Sequence, residues 1–188
     1  MRHRELQKLL IGAGLVTADH VGHAVHATAG THGTWLEHLV QQRMVSERAV
    51  CELAARAAFV PMCELHGLEQ VDDDVIAELP WDLAVEYRAL PVAVEADHDL
   101  RIAMLDPCDE DACTELGFFL GRRVLREAAP ATAVAWALHR YYGFRSLLWP
   151  QQQPQPVVQQ VAPAARVRLP SQRSKPMVLR HSGLHAVP

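Results

Sequence analysis

The sequence predicts an α+β fold, and three observations carry that prediction. Residues 5–58 place apolar side chains at helical spacing, residues 90–106 hold two apolar runs separated by a short polar turn, and a helix, a strand and a further helix follow up to Gly143. The expected architecture is an N-terminal pair of helix-turn-helix repeats (1–58), then a small three- to four-stranded sheet covered by helices (59–143). A Pro/Gln-rich basic disordered tail (144–188) is expected to close the chain.

The repeat is read from its spacing. Leu6, Leu9 and Leu10, then Val16, Val21 and Val25, recur at helical intervals, and Thr17 stands where an N-cap belongs. Ser46 repeats that cap, although Ala49 three residues later leaves it without a full capping box. Aligning Leu15-Val16-Thr17 with Met44-Val45-Ser46 sets the copies 29 residues apart and puts Leu10 on Leu39, Val21 on Val50 and Val25 on Ala54. Neither copy can bury its apolar stripe alone, so the two are expected to pack together.

After Phe59 the texture changes. VPMCEL starts like a short strand with Pro61 at its edge, while DDDVIAELP and PWDLAVEYR read as short helices, Pro80 opening the second. LPVAVEA and LRIAMLD, joined by the turn DHD, read as a hairpin. A helix over 109–120 ends at Gly121, RRVLREA supplies a third strand, and a helix over 131–142 stops at Gly143. This order implies a sheet with helices on one face.

Charge divides the chain. Residues 1–143 hold 12 Lys and Arg against 22 Asp and Glu, a net −10, whereas residues 144–188 hold six basic residues and no acid. With seven prolines and seven glutamines, that second part lacks the apolar surface to offset its ordering entropy. Cys51, Cys63, Cys108 and Cys113 form no C-x-x-C pair, which fits reduced thiols in a cytoplasm. No stretch has the roughly 18 apolar residues of a membrane span, and MRHRELQKLL lacks the apolar core of a signal peptide.

The run AMLDPCDEDACTEL (103–116) invites a metal or acid/base reading. Its carboxylates, however, sit where a strand hands over to a helix. Asp106 suits the turn at Pro107, and Asp109, Glu110 and Asp111 suit the free amides of a first helical turn. Cys113, Leu116 and Leu120 are expected to face the sheet. His20, His23 and His26 share a helical face but have no carboxylate or thiolate partner nearby, so no metal is expected. No G-x-S-x-G, H-E-x-x-H or G-x-x-x-x-G-K-[ST] occurs, and the lysines are Lys8 and Lys175. Among the tryptophans, Trp136, between Val134 and Leu138, is expected in the core.

Leu79-Pro80, LAVEYRALPV (83–92), LRIAMLDPCDEDACTEL (100–116), Gly121-Arg122 and Arg140-Tyr141-Tyr142-Gly143 together resemble the N-terminal domain of type II secretion and type IV pilus assembly ATPases, also called MshEN or the GspE N-terminal domain. The resemblance, with the repeat pair, covers about residues 5–143. It implies a cytoplasmic, non-catalytic adaptor whose protein partner is the cytoplasmic part of a secretion or pilus inner-membrane component, with neither nucleic acid nor membrane insertion.

It also implies a ligand question. Some family members bind cyclic di-GMP through paired repeats that open with Arg-Leu-Gly and close with Gln. Here the first copy has Glu5-Leu6-Gln7 and closes at Thr28; the second has Thr34-Trp35-Leu36 and closes at Ala57. Arg4 reaches the arginine position only by a one-residue shift, and Trp35, at the second motif position where the family has leucine, is implied to cover the former nucleotide pocket. The implied but degenerate ligand positions are Arg4, Leu10, Leu15, Val21, Val25, Trp35, Leu39, Met44 and Val50. Glu5 places negative charge where a phosphate would sit, so the resemblance implies an interaction module first and a nucleotide sensor as the alternative.

Overall fold

A computed structural model describes residues 4–63 and 65–149, and these fall in one compact unit. Helices α1 (Arg4–Gly12), α2 (Ala18–Thr28), α3 (Trp35–Gln41) and α4 (Glu47–Ala58) form the repeat pair. The 29-residue repeat extends to individual hydrogen bonds. Leu15 N donates to Leu10 O at 3.0 Å and Met44 N to Leu39 O at 2.9 Å, while Thr17 and Ser46 cap α2 and α4 through His20 N and Ala49 N.

The copies share left-handed backbone at two equivalent positions where the residue changes: Gly30 (φ 75°) matches Phe59 (φ 55°), and Gly14 (φ 69°) matches the exposed Arg43 (φ 55°). A side chain in that region is strained where glycine is not. Arg43→Gly is therefore expected to stabilise the fold by about 0.5–1 kcal/mol, read as a raised urea midpoint with unchanged slope. An unchanged or lowered midpoint would sink this account.

Helices α5 (Leu65–Glu69), α6 (Asp73–Ile76) and α7 (Trp81–Tyr87) lead into the sheet. Strand β1 (Ala89–Val94) pairs antiparallel with β2 (Leu100–Met104); helix α8 (Glu110–Leu120) crosses to β3 (Val124–Ala128), parallel to β2; and α9 (Ala131–Tyr142) ends the domain. The order β1-β2-β3 puts β2 in the centre. Pro91 lacks an amide hydrogen, and the β1–β2 register shifts between Pro91 and Ala93, a fault that an edge strand tolerates. The strand expected at VPMCEL reduces to one parallel bridge, Met62 with Ala128, and α5 was not foreseen.

Helices do not keep to one face of the sheet. Ile102, Ala103 and Met104 are consecutive and all buried, so β2 is covered on both sides; Cys51 and Ala55 of α4 pack on Ala128 of β3. Two larger apolar cores flank this contact. One joins the sheet to α5–α9, and the other joins the repeats through Leu6, Leu10, Leu36 and Leu39 but also takes in Leu105 and Ala131. Glu47 of α4 further accepts from Thr132 N at 2.9 Å, supplying the cap that Pro130 cannot give α9.

The tail does not begin at 144. Phe144 and Ser146 are buried, and Gln41 Nε2 donates to Leu147 O at 2.9 Å. The physical reason is that Phe144 is a large apolar side chain seated against the sheet core, which the composition of the whole segment conceals. Residues 150–188, on which the rest of the disordered-tail expectation falls, lie outside the described residues.

Candidate functional site

The β2–α8 corner is built as the sequence requires. Asp106 Oδ1 accepts from Cys108 N at 3.0 Å, and Asp109 Oδ1 accepts from Ala112 N at 3.0 Å as the N-cap of α8. Leu116 is fully buried, with Cys113 and Leu120 packed partly buried against the same core. Glu115 points outward and accepts from the Tyr87 hydroxyl.

The same corner does something that its sequence does not announce. It forms one wall of a cleft of about 830 Å³, whose other wall is Arg4, Glu5 and Leu9 of α1 with Ala57 and Ala58 at the end of α4. Six carboxylates (Glu5, Asp106, Asp109, Glu110, Asp111 and Glu115) and two guanidiniums, Arg4 and Arg126, line it. Arg126 Nη1 donates to Pro107 O at 2.8 Å, so that guanidinium is tied to the corner itself. The field in the cleft is negative and disfavours an anionic ligand.

Of the residues the sequence singles out for ligand binding, Arg4 alone lines this cleft. Leu10, Val21, Trp35, Leu39 and Val50 are buried together in the repeat core, and Leu15 is half-buried against it. Val25 and Met44 are instead 45% and 43% exposed: at Val25 helical spacing overstated the width of the buried stripe, and Met44 lies in the turn between α3 and α4. Trp35 does not sit over an open pocket. It is 6% exposed, and its indole Nε1 has no hydrogen-bond partner among the described residues. His20, His23 and His26 are all exposed, with His23 facing His38 of α3 at 6.0 Å between rings.

Thiol chemistry has no support here. Burial pushes the Cys108 and Cys113 thiols up to about 11, with Asp106 adding to the effect at Cys108 and Arg126 opposing it at Cys113. Burial likewise raises Cys51 to about 11 and Cys63 to about 12, so all four are protonated at neutral pH. A raised folded value means that the stability these groups contribute is complete below the ordinary thiol value of 9.0 and is lost as pH rises through the folded values. Urea midpoints are expected to fall between about pH 9 and about pH 12, and Cys63→Ala should flatten the decline; an equal decline in that variant would count against the assignment.

Sequence reasoning missed a buried ion pair between α3 and the end of α7. Glu37 Oε1 and Arg88 Nε lie 3.2 Å apart with both side chains at most 5% exposed, and Arg88 also donates to the carbonyls of Val85 and His32. Its guanidinium lies 4.8 Å from the centre of the Phe144 ring. Half of the signal was legible: Thr34-x-x-Glu37 is a capping box, with Glu37 Oε2 accepting from Thr34 N at 2.8 Å. Nothing in the sequence marks Arg88 as its partner, 51 residues away.

Among the described residues, no helix is long and apolar enough to cross a membrane. Residues 60–146 match the family model of the MshEN domain. The chain is 29% identical over 140 residues, 74% of its length, to the type IV pilus assembly ATPase PilB of Thermus thermophilus, of which it spans 16%. Among solved structures it aligns with MshE with cdg at 29% identity (TM-score 0.49, 73% of this chain and 98% of that one). It also aligns with the N-terminal domain of XpsE at 21% identity (TM-score 0.53, 73% and 94%), a likeness of fold. Residues 60–146, which hold the β1-β2-β3 sheet and the Asp106-Pro107 corner, thus match the MshEN domain, and the chain is similar to the N-terminal domains of type II secretion and type IV pilus ATPases.

Proposed function

We propose that this chain acts as a non-catalytic docking module in the cytoplasm, joining a secretion or pilus machine through the cytoplasmic part of an inner-membrane component. The family match over residues 60–146 carries the reading. Two further observations support it. The 188 residues contain no phosphate-binding G-x-x-x-x-G-K-[ST] loop, and the cleft at the β2–α8 corner pairs no activated nucleophile with a base. Capture from the native organism at mild salt is expected to recover a secretion or pilus component, and its absence would argue against the proposal.

A cyclic dinucleotide sensor is the second reading, favoured by a cleft of nucleotide size with Arg4 and Arg126 on its walls. The surplus of carboxylates there opposes a ligand with two phosphates. Calorimetry with cyclic di-GMP separates the two readings: heat at low micromolar ligand would establish the sensor, and silence at high micromolar ligand would remove it.

A further inference from the structure

We infer that the outer face of α8, together with the acidic cleft beside it, is a single docking surface for a basic and apolar segment of a partner protein. The inference rests on the docking reading above and adds the surface and the chemistry of what it receives. Phe118 and Phe119 are 84% and 65% exposed at the end of α8, with ring centres 6.2 Å apart in an edge-on arrangement. Among the described residues nothing covers these two neighbouring phenylalanines, which leave apolar area for a partner to bury.

Their place on the helix ties them to the cleft. Asp111 and Glu115 are four residues apart, and Phe118 and Phe119 follow Glu115 by three and four, so all four share one stripe. Asp111 and Glu115 also line the cleft. The stripe therefore runs from carboxylates to aromatic rings over about 12 Å of helix. A matching segment presents lysine or arginine side chains to the cleft and apolar ones about two turns away.

Charge selects among occupants. An anionic ligand meets six carboxylates against two guanidiniums, one of which is held by the Pro107 carbonyl. A second copy of this chain brings a face of the same sign, and residues 1–143 carry a net −10. A cationic segment is attracted by the field and buries the two rings, which combines steering with an aromatic anchor.

The test uses the full chain and a fluorescent amphipathic Leu/Lys helix peptide of about 15 residues, followed by anisotropy at about 150 mM salt, with a Leu/Glu peptide as control. The Leu/Lys peptide alone is expected to bind. F118S/F119S and E110K/D111K should each weaken it by about tenfold or more, while D73K/D74K, the same charge change on exposed α6, should stay within about twofold. Circular dichroism confirms folding, and the two α8 variants check each other if one is damaged. No binding of the Leu/Lys peptide, full binding by F118S/F119S, or equal weakening by D73K/D74K overturns the surface. Capture of the same secretion component by F118S/F119S and by the unaltered chain would overturn this surface while leaving the docking reading intact; capture by neither would overturn the docking reading itself.

Discussion

Replacing Arg88 with alanine is expected to destabilise the folded unit by about 3–5 kcal/mol, among the largest effects of any single substitution in this chain. The substitution leaves the Glu37 carboxylate, 1% exposed, with the Thr34 amide but without its cation. It also removes the donors to the Val85 and His32 carbonyls and the guanidinium from over the Phe144 ring. Arg88 is the left-handed residue after α7 with φ 49°, and alanine is strained there to a similar degree, so backbone terms largely cancel. Denaturation at neutral pH reads the loss. Combining R88M with E37Q should recover much of it, because no buried charge then lacks a partner. A cost below about 1 kcal/mol for R88A would show that the pair contributes little.

Leu39→Ala is expected to cost about 2–5 kcal/mol and to do so across the whole described unit in one transition. Leu39 is fully buried in a core that includes Leu105 from the end of β2 and Ala131 from the start of α9. Residues 1–58 and 59–143 were distinct in sequence texture, yet they share this core, the Glu37–Arg88 pair and the contact of α4 with β3. Far-ultraviolet circular dichroism and tryptophan fluorescence should therefore lose signal together in the variant as in the unaltered chain. Two separated transitions would mean that the repeats fold apart from the sheet. Leu10→Ala, at the equivalent position of the first repeat and also fully buried, should behave alike.

Much of the architecture was legible because it is local. Apolar spacing, the Thr17 and Ser46 caps, and the glycines at 121 and 143 that end α8 and α9 in left-handed geometry act over a few residues, and each was found where the sequence placed it. The Asp106-Pro107 corner was legible for the same reason, since a turn and an N-cap satisfy amides two and three residues away. What local rules could not give was the width of the buried stripe. Val25 has the helical spacing of a core position and still faces solvent.

The sequence by itself determined the α+β class, the repeat of 29 residues, the order of the strands along the chain and the acidic balance of residues 1–143. Each of these is written in spacing, capping residues or composition. Only the tertiary structure decided that Glu37 meets Arg88, that residues 144–149 pack on the body, that α4 takes the second face of the sheet, and that the corner acids face Arg4 and Glu5 across a cleft. These contacts join residues from about 50 to more than 100 positions apart, and their partners are chosen by how whole elements pack.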